Sequence, residues 1–170
     1  MTDRSRLIID RLWDGTPAWP SERSEVAFTL EPSGLLVRIA ACLHGDPAPA
    51  QPAGQTDGLW GYEVVELFLA NDDGHYLELE FGPYGHYLAL RFSGIRQIDS
   101  RDIAISYQTE ITVQCWRGTA QVPAACLPAQ LTRANAYAMH GQGQERRYLA
   151  AFAVPGPRPD FHQPQFFQPW

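Results

Sequence analysis

The chain has 170 residues, enough for one domain with a proper core. Its 13 Lys and Arg against 19 Asp and Glu give a formal charge of -6, which argues against nucleic acid or an anionic membrane as the main partner, since both need a basic footprint. The 14 Pro and 14 Gly are scattered between short alternating segments, which points to an all-β domain with many turns.

Leu7 to Trp13 reads as a first strand ended by Asp14-Gly15. The apolar run Leu7-Ile8-Ile9 is too short for a signal peptide, and no stretch approaches membrane-spanning length. A cytoplasmic location without membrane contact is therefore expected. Glu25–Leu30 and Leu35–Cys42 form a hairpin about Pro32-Ser33-Gly34. The prolines of the segment from Gly45 to Gly58 forbid both helix and central strand. A connection of that length is usually functional or mobile, and it leads straight into Trp60.

From Leu59 to Phe92 the pattern is a three-stranded meander. Val64 to Leu69 forms the first strand, and Tyr76-Leu-Glu-Leu-Glu-Phe81 alternates at period two. Gly82-Pro83-Tyr84-Gly85 is a turn, and His86 to Phe92 returns. Facing Phe81 with His86 gives a core face of Leu77, Leu79, Phe81, Leu88 and Leu90. The opposite face then carries Glu66, Glu78, Glu80 and Arg91, with Glu66 opposite Glu78 and Arg91 bridging the carboxylates.

Ile103–Thr109 and Glu110–Trp116 read as strands, and Arg117-Gly118 resembles a hairpin turn before Thr119–Val122. Pro123 to Leu127 allows one short helical turn. Ala134–His140 and Arg147–Val154 read as a closing strand pair. Residues 155–170 form an irregular tail of the same domain, packed back through Phe161, Phe166 and Phe167, because three solvated Phe invite aggregation. Three cysteines without ligand spacing give neither a disulfide framework nor a zinc site, and Cys42 and Cys115 read as buried thiols.

No nucleotide-binding, hydrolase-elbow or zinc-protease motif is present. No metal site and no cofactor are expected from His and Cys spacing, and two weaker cofactor readings stand beside that. Asn71-Asp72-Asp73-Gly74 could hold calcium but is short of ligands, and an Asx turn explains it better. Met139-His140 contains the haem-ligand types, but neighbouring strand residues point to opposite faces. Glu66 and Glu78 could work as acid and base, although no recognisable nucleophile or metal accompanies them. That places catalysis below binding.

The stretches L-W-G-Y-E-V-V-E-L-F-L, Y-L-E-L-E-F-G-P-Y-G-H-Y-L-A-L, Y-A-M-H-G and P-D-F-H together resemble an uncharacterised family found in bacteria and animals. That family includes the product of a human chromosome 4 open reading frame. It is similar in turn to the DOMON-like superfamily and to family 9 carbohydrate-binding modules. The resemblance implies an all-β, antiparallel β-sandwich of jelly-roll type with a concave face, in a superfamily whose members bind sugars or haem. Trp60 and Glu66 match the Trp and acidic strand positions of the sugar-binding modules, and Glu63 stands where an acidic residue often falls.

The expected function is a non-catalytic module for a polar small molecule, a saccharide first. A haem or redox module and a hydrolase using Glu66 and Glu78 are the alternatives. The expected pocket is bounded by Trp60, Tyr62, Glu63, Glu66, Glu78 and Arg91, with His86 or His140 at its rim.

Overall fold

The computed structural model describes residues 4–170. Met1 to Asp3, part of the stretch read for a leader, lie outside the described residues. The strands in chain order are β1 (Arg4–Ile9), β2 (Arg11–Leu12), β3 (Ser24–Glu31), β4 (Gly34–Cys42), β5 (Gly54–Gln55), β6 (Val64–Ala70) and β7 (Tyr76–Phe81). They continue with β8 (His86–Gly94), β9 (Gln97–Ser100), β10 (Ser106–Ile111), β11 (Cys115–Pro123), β12 (Arg133–His140), β13 (Arg147–Ala150) and β14 (Gln168–Pro169).

Two sheets result. One runs β1-β3-β4-β11-β10, and the other β2-β13-β12-β6-β7-β8-β5, with β9 on β8 and β14 on β12. The fold is an all-β sandwich of largely antiparallel sheets. The single strand expected from Leu7 to Trp13 is divided at Asp10, so that β1 belongs to the first sheet and β2 to the second. The interior between the sheets takes alternate residues from each: Val26, Phe28, Val37 and Ile39 from one side, Leu67, Leu69, Leu77 and Leu79 from the other. Each fully buried side chain of this size contributes roughly 1.5–3 kcal/mol. This alternation, apolar inward and mixed outward, is why these segments are strands.

The meander forms, but with a register different from the expected one. Gly82 N–H donates to the His86 carbonyl at 2.8 Å, so only Pro83, Tyr84 and Gly85 are left in the loop. Gly85 closes it at φ 85°, the left-handed conformation such three-residue loops require. Phe81 therefore faces Tyr87 and not His86. Leu79 faces Ala89, Leu77 faces Arg91, and Glu78 faces Leu90. A one-residue offset reverses a whole strand. Leu88 and Leu90 are buried, but on the carboxylate face, and Arg91 lies on the opposite one. There it pairs with Asp99 at 3.0 Å. On the other side of β7, Glu66 faces Glu80 and Phe68 faces Glu78. That shift of two residues preserves the faces and changes only the partners.

The turn expected at Arg117-Gly118 is also displaced. The chain reverses at residues 112–114, where Thr112 N–H donates to Cys115 O at 2.8 Å and Val113 is 95% exposed. Gly118 is inside β11, with Tyr107 packed over it; a Cβ there would lie 2.9 Å from that ring. The glycine serves close packing, not a turn. Cys115, at the start of β11, is exposed, and Cys42 opposite it is half-buried, so neither is the buried thiol expected.

These assignments separate two substitutions. Leu79→Ala should lower the unfolding free energy by about 2–5 kcal/mol in urea denaturation, the usual loss for a core leucine. Arg91→Ala should cost no more than about 1 kcal/mol, because its ion pair is part-exposed. A large loss for Arg91→Ala would return it to the carboxylate face.

Candidate functional site

The outer face of the larger sheet carries Val64, Glu66 and Phe68 on β6, Tyr76, Glu78 and Glu80 on β7, and Leu88, Leu90 and Phe92 on β8. Met139 and Tyr137 on β12 continue it. This face is not solvated. The tail folds over it, with Phe161 stacked on Tyr137 at 3.9 Å and Phe167 buried against Phe68. Phe166 packs against the same cluster. The tail is tied down by Asp160, which accepts from Arg96 at 2.7 Å and from the His162 N–H at 3.2 Å.

Between tail and sheet lies a pocket of about 430 Å³. Glu66 and Glu78 line its floor, and Phe68, Leu90 and Phe92 give it apolar flanks. Phe161 and His162 come from the tail, and Trp60, 49% exposed, stands at the lip. Arg146 fixes that lip by donating to the carbonyls of Trp60 and Tyr62.

Glu66, Glu78 and Glu80 form the chemical centre. All three are buried, and one oxygen of each lies within 4.8 Å of the others. Burial pushes Glu78 up to about 7. Burial also holds Glu80 well above the usual carboxylate range, and the charges of Glu66 and Glu78 add to it. Glu66 is raised by burial and by Glu78, with Arg146 pulling it back. No N–H or O–H of the described residues reaches either oxygen of Glu80 or Oε2 of Glu78.

His162 faces this cluster. The Tyr76 hydroxyl accepts from Arg96 N–H at 3.0 Å and lies 2.8 Å from His162 Nδ1. On its other side the ring brings Nε2 to 3.7 Å from Glu78 Oε2. Burial, helped by Arg96, lowers the His162 pKa to about 4, so the ring is neutral at pH 7. It contributes a dipole to the site and no charge.

The structure brings together Trp60, Glu66 and Glu78 of the expected residues. Tyr62 is half-buried behind the lip. The others are elsewhere, for reasons of hydrogen bonding. Glu63 accepts from the backbone N–H of His44 and Asp46 at 2.8 and 3.2 Å, which anchors the start of the proline-rich loop. His86 lies buried with Nε2 2.9 Å from the Gln51 carbonyl, fixing the same loop. His140 stacks on His44 at 3.6 Å and reaches Glu22, which also holds Arg147 at 2.7 Å. Arg91 is on the far face of the sheet. Glu80, Arg96, Asp160 and His162 were not among the expected site residues. Glu80 shares the parity of Glu78, and His162 ends the quoted P-D-F-H segment, which are the two signals for them. The calcium reading of the turn after β6 meets an Asx turn there: Asn71 Oδ1 accepts from the N–H groups of Asp73 and His75, each at 3.0 Å.

Comparison with known proteins bears on this face. No profile of a known protein family matches the chain. A zebrafish (Danio rerio) protein, the UPF0462 protein C4orf33 homolog, is 36% identical over 95% of this chain and 86% of its own. The human UPF0462 protein C4orf33 is 34% identical over 94% of this chain and 84% of its own. The chain belongs to the UPF0462 family. Among solved structures, a candidate carbohydrate-binding protein from Bacteroides uniformis superposes with a TM-score of 0.71 over 96% of this chain and 84% of that one, at 17% identity. That likeness establishes a shared fold for this UPF0462 member.

Because the carboxylates bind protons more tightly folded than unfolded, their protonation stabilises the native state at low pH. That contribution fades as the pH rises from about 4.5 through about 7. Glu80→Gln should remove much of this slope. In urea denaturation in metal-free buffer, the variant should gain at least about 1.4 kcal/mol on wild type between pH 5 and pH 8, the worth of one pKa unit. Parallel pH profiles would show the carboxylates to be solvated.

Proposed function

We propose that this protein is a binding module for a polar small molecule with an apolar side, a saccharide first, and that the pocket under the tail holds it. One observation carries the reading: an aromatic-walled pocket whose floor is acidic, with buried carboxylate oxygens lacking a protein donor. Such oxygens cost free energy unless something donates to them. A sugar supplies hydroxyl donors for Glu66 and Glu78, and its C–H face suits Trp60 at the lip. The fold shared with a candidate carbohydrate-binding protein supports this reading.

Hydrolysis is less well served. Glu78 near 7 suits a general acid, but Glu66 and Glu80 are held above the usual carboxylate range as well, so no ionised partner stands beside it as nucleophile or base. A haem does not fit this donor set. Met139 and His162 both line the pocket, but His162 Nδ1 is engaged by the Tyr76 hydroxyl and Nε2 faces Glu78.

The test is a thermal-shift screen of mono- and disaccharides, followed by calorimetry on any hit. Trp60→Ala and Glu66→Gln should each weaken binding by at least about 1 kcal/mol, while the circular dichroism spectrum stays unchanged. Wild-type affinity in both variants would remove the site from the proposal.

A further inference from the structure

We propose that Glu66, Glu78 and Glu80 together bind one hard divalent cation, calcium by size, at the floor of the pocket. This goes beyond the saccharide reading and does not need it.

The first support is geometric. Oxygens from three carboxylates lie within 4.8 Å of one another. Calcium binds oxygen at about 2.3–2.6 Å, so ligands on opposite sides of one ion are about 5 Å apart. The three oxygens therefore surround a calcium-sized point with little movement. Magnesium demands near-ideal octahedral geometry and dehydrates reluctantly, so a buried set of three carboxylates suits calcium better.

The second support is independent of the clustering. Both oxygens of Glu80 and Oε2 of Glu78 have no hydrogen-bond partner, and these residues are 0% and 5% exposed. The Tyr137 hydroxyl, on the strand residue directly opposite Glu66, is likewise buried and unpartnered. Buried acceptors without donors are what a cation satisfies, and a cation also removes the repulsion among like charges.

The third support is that the basic side chains nearest the cluster are committed elsewhere. Arg146 donates to the carbonyls of Gly141, Trp60 and Tyr62. Arg96 pairs with Asp160 at 2.7 Å. His162 approaches only to 3.7 Å of Glu78, with its other nitrogen held by Tyr76.

Access follows from the arrangement. Glu66 and Glu78 line the pocket, so an ion between them is reached from it, and Glu80 is not among the lining residues. An organic ammonium from the pocket would meet Glu66 and Glu78, whereas Glu80 lies beyond the lining residues. That favours a bare ion.

The experiment is calorimetric titration of CaCl2 into chelator-treated protein at constant ionic strength, with MgCl2, MnCl2 and spermidine in parallel and no sugar present. The expected result is one calcium per chain with millimolar or tighter affinity. Its saturation should raise the melting temperature by several degrees. Glu80→Gln and Glu66→Gln should each weaken calcium binding at least about tenfold. A double Asp72→Asn, Asp73→Asn variant in the exposed turn should bind as wild type does. Two variants in the cluster guard against a folding failure in one. The proposal is overturned if none of the three metals binds saturably. It is overturned equally if calcium binding survives in both cluster variants, is lost in the turn variant, or is absent while spermidine binds. Calcium binding without any sugar hit would leave the cation site standing and remove the saccharide reading.

Discussion

The arrangement of this protein depends on a single backbone hydrogen bond, from Gly82 N–H to the His86 carbonyl. It leaves three residues in the loop between β7 and β8, and that odd number decides which way β8 faces. With the loop one residue longer, Leu88 and Leu90 would join the sandwich interior and Arg91 would lie over the carboxylates. As built, Leu88 and Leu90 flank Glu80 and Glu78 with hydrocarbon, and the cation that would have neutralised them is on the other side of the sheet. The low-dielectric character of the pocket floor is therefore a property of the loop.

A second layer depends on the first. An outer sheet face bearing Phe68, Tyr76, Leu90, Phe92 and Tyr137 is too apolar to face water, and the C-terminal tail covers it. Stacked and edge-on rings carry that contact: Phe161 on Tyr137, Tyr76 on Phe92, and His162 against Phe68. Each aromatic pair adds about 0.5–1.5 kcal/mol to the area it buries. The space left beneath the tail, with the half-exposed Trp60 among its lining residues, is the pocket. The site is thus what remains when an apolar face with three acids in it is roofed incompletely.

Much of this was legible in the chain. Period-two alternation in Tyr76-Leu-Glu-Leu-Glu-Phe81 gave the strand and put Glu78 with Glu80, and parity put Glu66 with them. The aromatic tail was read as packed because its rings needed cover. The misreadings have a common cause. Gly82-Pro83-Tyr84-Gly85 and Arg117-Gly118 both advertise turns, but composition does not count loop residues. Nor does it tell a turn glycine from one under a neighbouring ring, as Gly118 is under Tyr107. His162 and Arg96 are brought to the site by tertiary packing between segments far apart in the chain, and no local pattern carries that information. His86, His140 and Glu63 looked functional as isolated polar residues, yet each serves to hold a loop or a neighbouring side chain.

The buried acids also bear on how the chain reaches this state. Both sheets are joined across distant segments, Tyr137 beside Glu66 and Trp116 beside Ala41, and such pairings form slowly. The β6–β8 meander is local, and its short loops make its pairing cheaper in chain entropy than theirs. Until β12 and the tail arrive, the strands Val64–Ala70 and Tyr76–Phe81 stand unprotected, and without charge they would suit intermolecular β-pairing. In water Glu66, Glu78 and Glu80 are ionised, and they break these segments as gatekeeper charges do. The carboxylates that lie unpartnered in the finished protein are thus placed to oppose intermolecular pairing in its half-made form.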